Sequence, residues 1–194
     1  MKSLEFLTIS SKYLITTQNI ISEIIKSKNK WIVLSDSKDI DYNDETKWSD
    51  FNTLIPTLFL LYHGIETIIK GLLLKNGKIN LKTNHNLTEI LCLFKKEFKN
   101  EKELINVFDK YIIFNKKNSS KLIVSFIKNN PKIKNPEILY NSLRYPTNTT
   151  FSIDFDYLPL KYKEEEILPS LKEIIDDVDN ILKFSVKIYN DIEK

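Results

Sequence analysis

From Leu58 to Leu74 the chain is apolar nearly all the way round a helix. It is broken only by Thr67, two glycines and the ionisable residues His63, Glu66 and Lys70. A helix without a polar face must be covered by neighbours on every side. Taken as residues 52–75, the segment is long enough to invite a membrane-spanning reading. Its three ionisable side chains argue against that, because such groups are costly at mid-bilayer. The segment is therefore read as the buried central helix of a globular protein. Pro56 is placed in its first turn, where a missing N–H costs little, and Asn76-Gly77 is its stop, because Gly accepts a left-handed backbone.

The rest of the chain reads as further helices. Residues 3–28 place Leu4, Leu7, Ser11, Leu14, Ile15, Ile21, Ile24 and Ile25 at roughly helical spacing. Trp31 to Leu34 starts a short extended piece, and the acidic stretch 35–50 reads as a loop. Asn84 or Thr83 is expected to cap a helix over 86–99. Further helices are expected over 101–114 and 121–129. Phe151, Ile153 and Phe155 alternate with polar residues, a two-period strand signal. Its expected partner is 139–145, in a small β-hairpin near 139–157. The last helix spans 163–193, with Pro169 marking its true start. The prediction is an all-α bundle of long antiparallel helices with that one hairpin, forming a single domain over 1–194.

Composition narrows the chemistry. Of 29 basic residues, 28 are Lys and Arg144 is the one Arg. Arg offers a planar, always-charged fork that Lys cannot copy, so Arg144 is a candidate for a specific role. Residues 70–134 carry a net charge of +10 and residues 154–194 a net −5. A basic middle could meet phosphate, although no tight cluster of cations with interleaved aromatics is visible in the sequence. Cys92 is the sole cysteine. It excludes an intrachain disulfide or a Cys-based zinc site and reads as a small buried hydrophobe. The first residues carry no signal-peptide core, so the expected compartment is the cytoplasm.

On the central helix His63, Glu66 and Lys70 fall on one stripe, shared with Phe59 and Leu74. Glu66 precedes Lys70 by four residues, the favourable order for an ion pair. A buried carboxylate and ammonium must be paired. The stripe is either a satisfied polar triad that pins helix packing or a pocket for an anion or nucleobase. Metal binding by His63, Glu66 and His85 lacks further ligands at suggestive spacing. His85, at the entry to the next helix, reads as a capping or docking residue or as a general base without an identified partner. No nucleotide loop, nucleophile elbow or zinc-protease motif is present, and no metal or cofactor is expected.

Tyr62-His63-Gly64-Ile65-Glu66, Lys70-Gly71-Leu72-Leu73-Leu74 and, after a loop, His85-Asn86-Leu87 together resemble the HEPN superfamily (higher eukaryotes and prokaryotes nucleotide-binding). The resemblance lies in an "H-x-x-E-x-x-x-K-x-x-L" helix followed by an "H-[DN]-L" helix start, over about residues 54–94. Leu143-Arg144-Tyr145-Pro146 is similar to an "RYP" element of some HEPN-like bacterial proteins. The resemblance implies an all-α bundle, a homodimer, and a place in prokaryotic phage defence or a toxin–antitoxin system. Many members are metal-independent ribonucleases that use an R-x4-6-H motif on a late helix. Here Arg144 is the only Arg and no histidine follows it, so the standard nuclease centre is absent.

The expected function is thus a non-catalytic or divergent HEPN-like protein that binds a nucleotide, RNA or a partner protein, without a membrane. Its expected ligand-binding residues are Tyr62, His63, Glu66, Lys70, His85, Arg144 and Tyr145. Glu66 and Lys70 would shape the pocket, Arg144 would meet phosphate or carboxylate, and Tyr145 would stack. One alternative is a divergent endoribonuclease with Arg144 and His63 or His85 as catalytic residues. The other is a purely structural interaction module.

Overall fold

Two helices set the architecture. Helix α1 (Lys2–Lys26) buries Ser3, Leu7, Ser10, Leu14, Thr17, Ile21 and Ile24, a stripe of alternating four- and three-residue steps in which small and large side chains take turns. This seam is narrower than a full amphipathic face. Leu4 and Ile15, expected inside, are in fact 52% and 46% exposed. After a short helix α2 (Tyr42–Thr46) comes the central helix α3 (Asp50–Lys75), which runs along α1. A Cβ placed on Gly64 would lie 2.8 Å from the Leu14 side chain, and one on Gly71 would lie 3.0 Å from Phe6 Cβ and 3.4 Å from the Leu7 amide nitrogen. The pairs 64 with 14 and 71 with 7 make the helices antiparallel, and the two glycines let them come close.

The computed structural model describes residues 2–32, 42–79, 86–114, 117, 119–147, 152 and 154–192. Among them the fold is all-α, with six further helices besides α1 and α3. Helix α4 (Leu87–Glu97) and α5 (Lys102–Ile112) form a short hairpin, tied by Lys95 to Asp109 at 2.6 Å. Helix α6 (Lys121–Asn129) and α7 (Pro136–Ser142) follow, and α8 (Leu168–Asp191) ends the chain. Ser3 Oγ lies 3.2 Å from the Tyr189 hydroxyl, and Gln18 donates to Asp179 at 2.7 Å. Helix α8 is therefore antiparallel to α1 and parallel to α3. One continuous core runs from Leu7 to Ile188, and α3 contributes Leu54, Leu58, Leu61, Tyr62, Ile65, Ile68, Ile69, Leu72 and Leu73 to it. Helix α3 is long and apolar enough to cross a membrane by length and composition, but 78% of its most apolar window is buried inside the protein.

Helix ends follow local chemistry. Gly77, at φ +67°, terminates α3 as expected. Lys78 N–H bonds to Leu73 O and Gly77 N–H to Leu74 O, the paired pattern of a Schellman end. Pro169 lies in the first turn of α8, preceded by a 3-10 turn at Glu164–Ile167. Pro56 lies one turn deeper in α3 than expected, because the helix already starts at Asp50. It is tolerated there because Pro56 and Asn52 are both solvent-exposed, so water can satisfy the Asn52 carbonyl. The cap of α4 is Asn86, which accepts from Glu89 N–H at 3.0 Å while the Glu89 carboxylate accepts from its amide at 2.8 Å. The proposed caps Thr83 and Asn84 lie outside the described residues.

The expected hairpin is not formed by its expected partner. Residues 139–142 belong to α7, started by Asn135, whose side chain accepts from Ile138 N–H at 2.9 Å, and by Pro136 at the first helical position. The only β pairing among the described residues is a single antiparallel bridge between Thr147 and Asp154. Phe151 and Ile153 lie outside the described residues. Cys92 is exposed rather than buried, because α4 turns Leu87, Ile90, Leu91 and Phe94 inward and leaves position 92 on the opposite face.

Candidate functional site

The polar stripe of α3 meets α7. Lys70 Nζ lies 2.7 Å from Glu66 Oε1, with side chains only 10% and 2% exposed. One turn earlier, His63 Nδ1 lies 2.6 Å from the Tyr140 hydroxyl and 3.8 Å from Glu66 Oε2. The Tyr140 hydroxyl also lies within reach of the Glu66 charge. Burial is the main reason that its pKa is pushed well up, and the Glu66 charge adds to this while Arg144 pulls the other way. Tyr140 therefore stays a neutral hydroxyl, paired with the histidine beside the buried ion pair.

Rings enclose His63. Phe59 stacks on it at 5.8 Å, Tyr13 meets it edge-on at 4.7 Å, and Phe59 stacks on Tyr140 at 5.5 Å. The next layer outward is Arg144. Its guanidinium carbon lies 5.9 Å from the Phe59 ring, 5.9 Å from the Tyr140 ring and 5.3 Å from the Tyr145 ring. Arg144 is exposed, and among the described residues it has no carboxylate partner. One Arg144 nitrogen makes a long 3.5 Å bond to the Tyr145 hydroxyl, and aromatic faces attract a guanidinium without neutralising it, so its other donors suit an outside anion. Beside it an open cleft of ≈ 290 Å³ is lined by Pro56, Phe59, Leu143, Arg144 and Tyr145.

Arg144 follows the end of α7, and the segment after the bridge holds it in place. The Tyr157 hydroxyl donates to the Ser142 carbonyl and lies 3.0 Å from the Tyr145 carbonyl. Burial raises the Tyr157 pKa to about 12, so this link persists across the neutral range. Tyr157 is fixed in turn by stacking on Phe126 at 5.7 Å.

The sequence-predicted residues thus separate into layers. Arg144 and Tyr145, at 52% exposure, form the mouth of the cleft. His63, with its side chain 30% exposed, lies behind Phe59 and Tyr140. Glu66 and Lys70 are buried deeper. Tyr62 is not part of the cleft: it is fully buried and donates to the Tyr111 carbonyl at 2.7 Å. His85 lies outside the described residues. Among the described residues no hydrogen bond joins Arg144 to His63, and no group of three or more His, Cys, Asp or Glu side chains is placed for a metal.

Pro56, Tyr13 and Tyr140 belong to the site although the sequence did not single them out for it. Tyr140 was recoverable: Asn135-Pro136-Glu137 is a helix start, and a helix from there brings Tyr140 and Leu143 round to one side. A second, partly buried network was also missed. Lys110 Nζ lies 2.8 Å from both Asp177 oxygens and 3.0 Å from Glu173, and Tyr111 donates to Asp177 at 2.7 Å. It joins α5 to α8, and all its groups satisfy one another, as a structural tie requires.

The fold and site define an all-α bundle with an aromatic cage around one histidine and one outward-facing arginine. No protein-family profile, curated protein or solved structure matches the chain.

Proposed function

We propose that this is a HEPN-like helical protein that binds a nucleotide in the Arg144 cleft and does not cut RNA by the usual arginine–histidine pair. The observation that carries the reading is the Arg144 guanidinium, which is exposed and held over three aromatic rings at the rim of an open cleft. Such a group suits a phosphate, and the Tyr145 and Phe59 rings beside it suit a base. The nuclease alternative through His63 is disfavoured because His63 Nδ1 is engaged with Tyr140 and its ring is flanked by Phe59 and Tyr13, whereas His85 lies outside the described residues. The resemblance adds a homodimer, a cytoplasmic setting and a place in prokaryotic defence or a toxin–antitoxin pair to the proposal.

The test is titration calorimetry with AMP, GMP, CMP and UMP, on the wild type and on Arg144→Ala and Arg144→Lys. Circular dichroism confirms that each variant is folded. At least one nucleotide is expected to bind the wild type, with affinity lost in Arg144→Ala and only partly kept in Arg144→Lys, since Lys lacks the fork. The reading is overturned if no mononucleotide binds, or if Arg144→Ala binds as well as wild type. Incubation of the same proteins with total RNA covers the alternative, since Arg144-dependent cleavage would replace binding with catalysis.

A further inference from the structure

Along α3, one helical stripe carries Phe51, Ile55 and Phe59, spaced by four residues each. The far end of this stripe repeats the chemistry of the cleft. Phe51 is 41% exposed and stacks on Tyr162, itself 41% exposed, at 5.1 Å. Trp31 meets Tyr162 edge-on at 4.9 Å. Lys161 Nζ lies 5.1 Å from the Phe51 ring centre and 5.8 Å from the Tyr157 ring centre. This second platform therefore also combines partly exposed aromatic rings with a cation that lies over them.

Tyr157 makes the two platforms continuous. Its ring touches Lys161, and its hydroxyl reaches the Tyr145 carbonyl at 3.0 Å. The far platform is also rigid. Asp50 is fully buried and accepts from Tyr162 N–H at 3.1 Å and from Lys163 N–H at 2.7 Å. Asn29 completes the clamp by accepting from Asp50 N–H and donating to the Glu164 carbonyl, each at 2.7 Å. The backbone at Tyr162 is held in the left-handed region, at φ +58°, a conformation that surrounding contacts must impose.

From Phe51 to Phe59 the helix rises about 12 Å, at ~1.5 Å per residue. That is some three to four stacked-base rises of ~3.4 Å. We infer that the stripe from Phe51 to Tyr145 is a track for single-stranded nucleic acid of about four nucleotides, with Lys161 and Arg144 as its two phosphate anchors. This deepens the nucleotide-binding reading of the Arg144 cleft and rests on it. A duplex does not fit the same chemistry, because its bases are already stacked on one another and offer no faces to the rings. The acidic run Glu164-Glu165-Glu166 directly follows Lys163 and repels a strand that continues beyond Lys161 at that end.

The test uses fluorescence anisotropy with end-labelled RNA of two, four and eight nucleotides and a labelled duplex of eight pairs. The proteins are wild type, Phe51→Ala, Lys161→Ala and Lys161→Arg, each checked for an unchanged melting temperature. Affinity is expected to rise steeply from two to four nucleotides and little thereafter. Phe51→Ala should weaken tetranucleotide binding roughly five- to hundred-fold. Lys161→Ala should lower the slope of log K against log salt by about 0.7 and leave dinucleotide binding unchanged, and Lys161→Arg should restore the slope. The track is refuted, with the cleft reading intact, if two and four nucleotides bind equally in an Arg144-dependent way or if Lys161→Ala leaves the tetranucleotide unaffected. Duplex binding as tight as the single strand also refutes it. If neither dinucleotide nor tetranucleotide binds the wild type, both readings fall together.

Discussion

Replacing Lys70 with Met isolates the energetics of the buried stripe. The Lys70–Glu66 contact is 2.7 Å long, between side chains 10% and 2% exposed, so neither charge can turn to water. Met keeps most of the side-chain volume and removes only the charge. The carboxylate left behind keeps Tyr140 as a neighbour and His63 at 3.8 Å, which offsets part of the loss. Breaking a buried pair from one side costs about 3–5 kcal/mol, so with that offset we expect about 3 kcal/mol. For a chain of this length each kcal/mol moves the melting temperature by about 2–4 °C, which gives a drop of roughly 6–12 °C. The informative control is Lys70→Met combined with Glu66→Gln. Removing both charges leaves none unpaired, so the double variant should recover to within about 1 kcal/mol of wild type. Thermal and urea melts of the four proteins form the cycle. If the two single losses simply add in the double variant, the pair is not coupled and the reasoning fails.

Two other outcomes follow from the core. Tyr62, Tyr111, Tyr140 and Tyr157 all have raised pKa values, each chiefly through burial, with Asp177 adding to the effect on Tyr111. Burial alone would lower Lys110, but its hydrogen bonds and attraction to Asp177 and Glu173 outweigh that and raise it as well. A raised folded pKa means that the unfolded chain loses its proton first as pH increases. These groups' contribution is therefore fully present below about pH 10 and lost above it, and ultraviolet titration should show these four tyrosines ionising only as far-ultraviolet circular dichroism is lost. In α3, Gly64→Ala gains about 1 kcal/mol of helix propensity but puts a methyl 2.8 Å from Leu14, an overpacking cost of about 1–3 kcal/mol. Urea unfolding should show a net loss, and a more stable Gly64→Ala would disprove the tight α1–α3 contact.

How much of this was legible in the sequence depended on the range of the interaction. The buried nature of α3, the stop at Gly77 and the start of α8 at Pro169 rest on local patterns of a few residues. The Glu66–Lys70 pair is local in the same way, one helical turn apart. Tyr140 was obscured by a competing strand reading of 139–145, although its helix start was written in Asn135 and Pro136. The Lys110–Asp177 tie spans 67 positions, and nothing local marks the two residues as partners. Tyr62 was misassigned because sequence neighbours on a helix point to different sides: His63 turns towards Tyr140, and Tyr62 turns into the core. Cys92 shows the converse, since apolar neighbours do not make a helical position internal. For Arg144, rarity pointed to the residue but not to the rings beneath it, which combine its own neighbours Tyr140 and Tyr145 with Phe59 from the distant α3.

The seam between α1 and α3 works as a ruler with seven-residue marks. Leu7 and Leu14 on one helix repeat at the same interval as Gly71 and Gly64 on the other. A ruler of that kind has more than one fit: sliding α1 by two turns would again set a leucine against a glycine. What removes the ambiguity is the polar clamp at the far end, where Asn29 accepts from the Asp50 amide and Asp50 holds the Tyr162–Lys163 backbone. A shifted register would carry Asn29 away, leaving the buried Asp50 amide without its acceptor and the Glu164 carbonyl without its donor, a cost that apolar contacts alone do not offset. The apolar seam thus supplies cohesion, and the clamp supplies uniqueness. The same hydrogen bonds that select one alignment of the helices also fix the Tyr162 ring against Phe51.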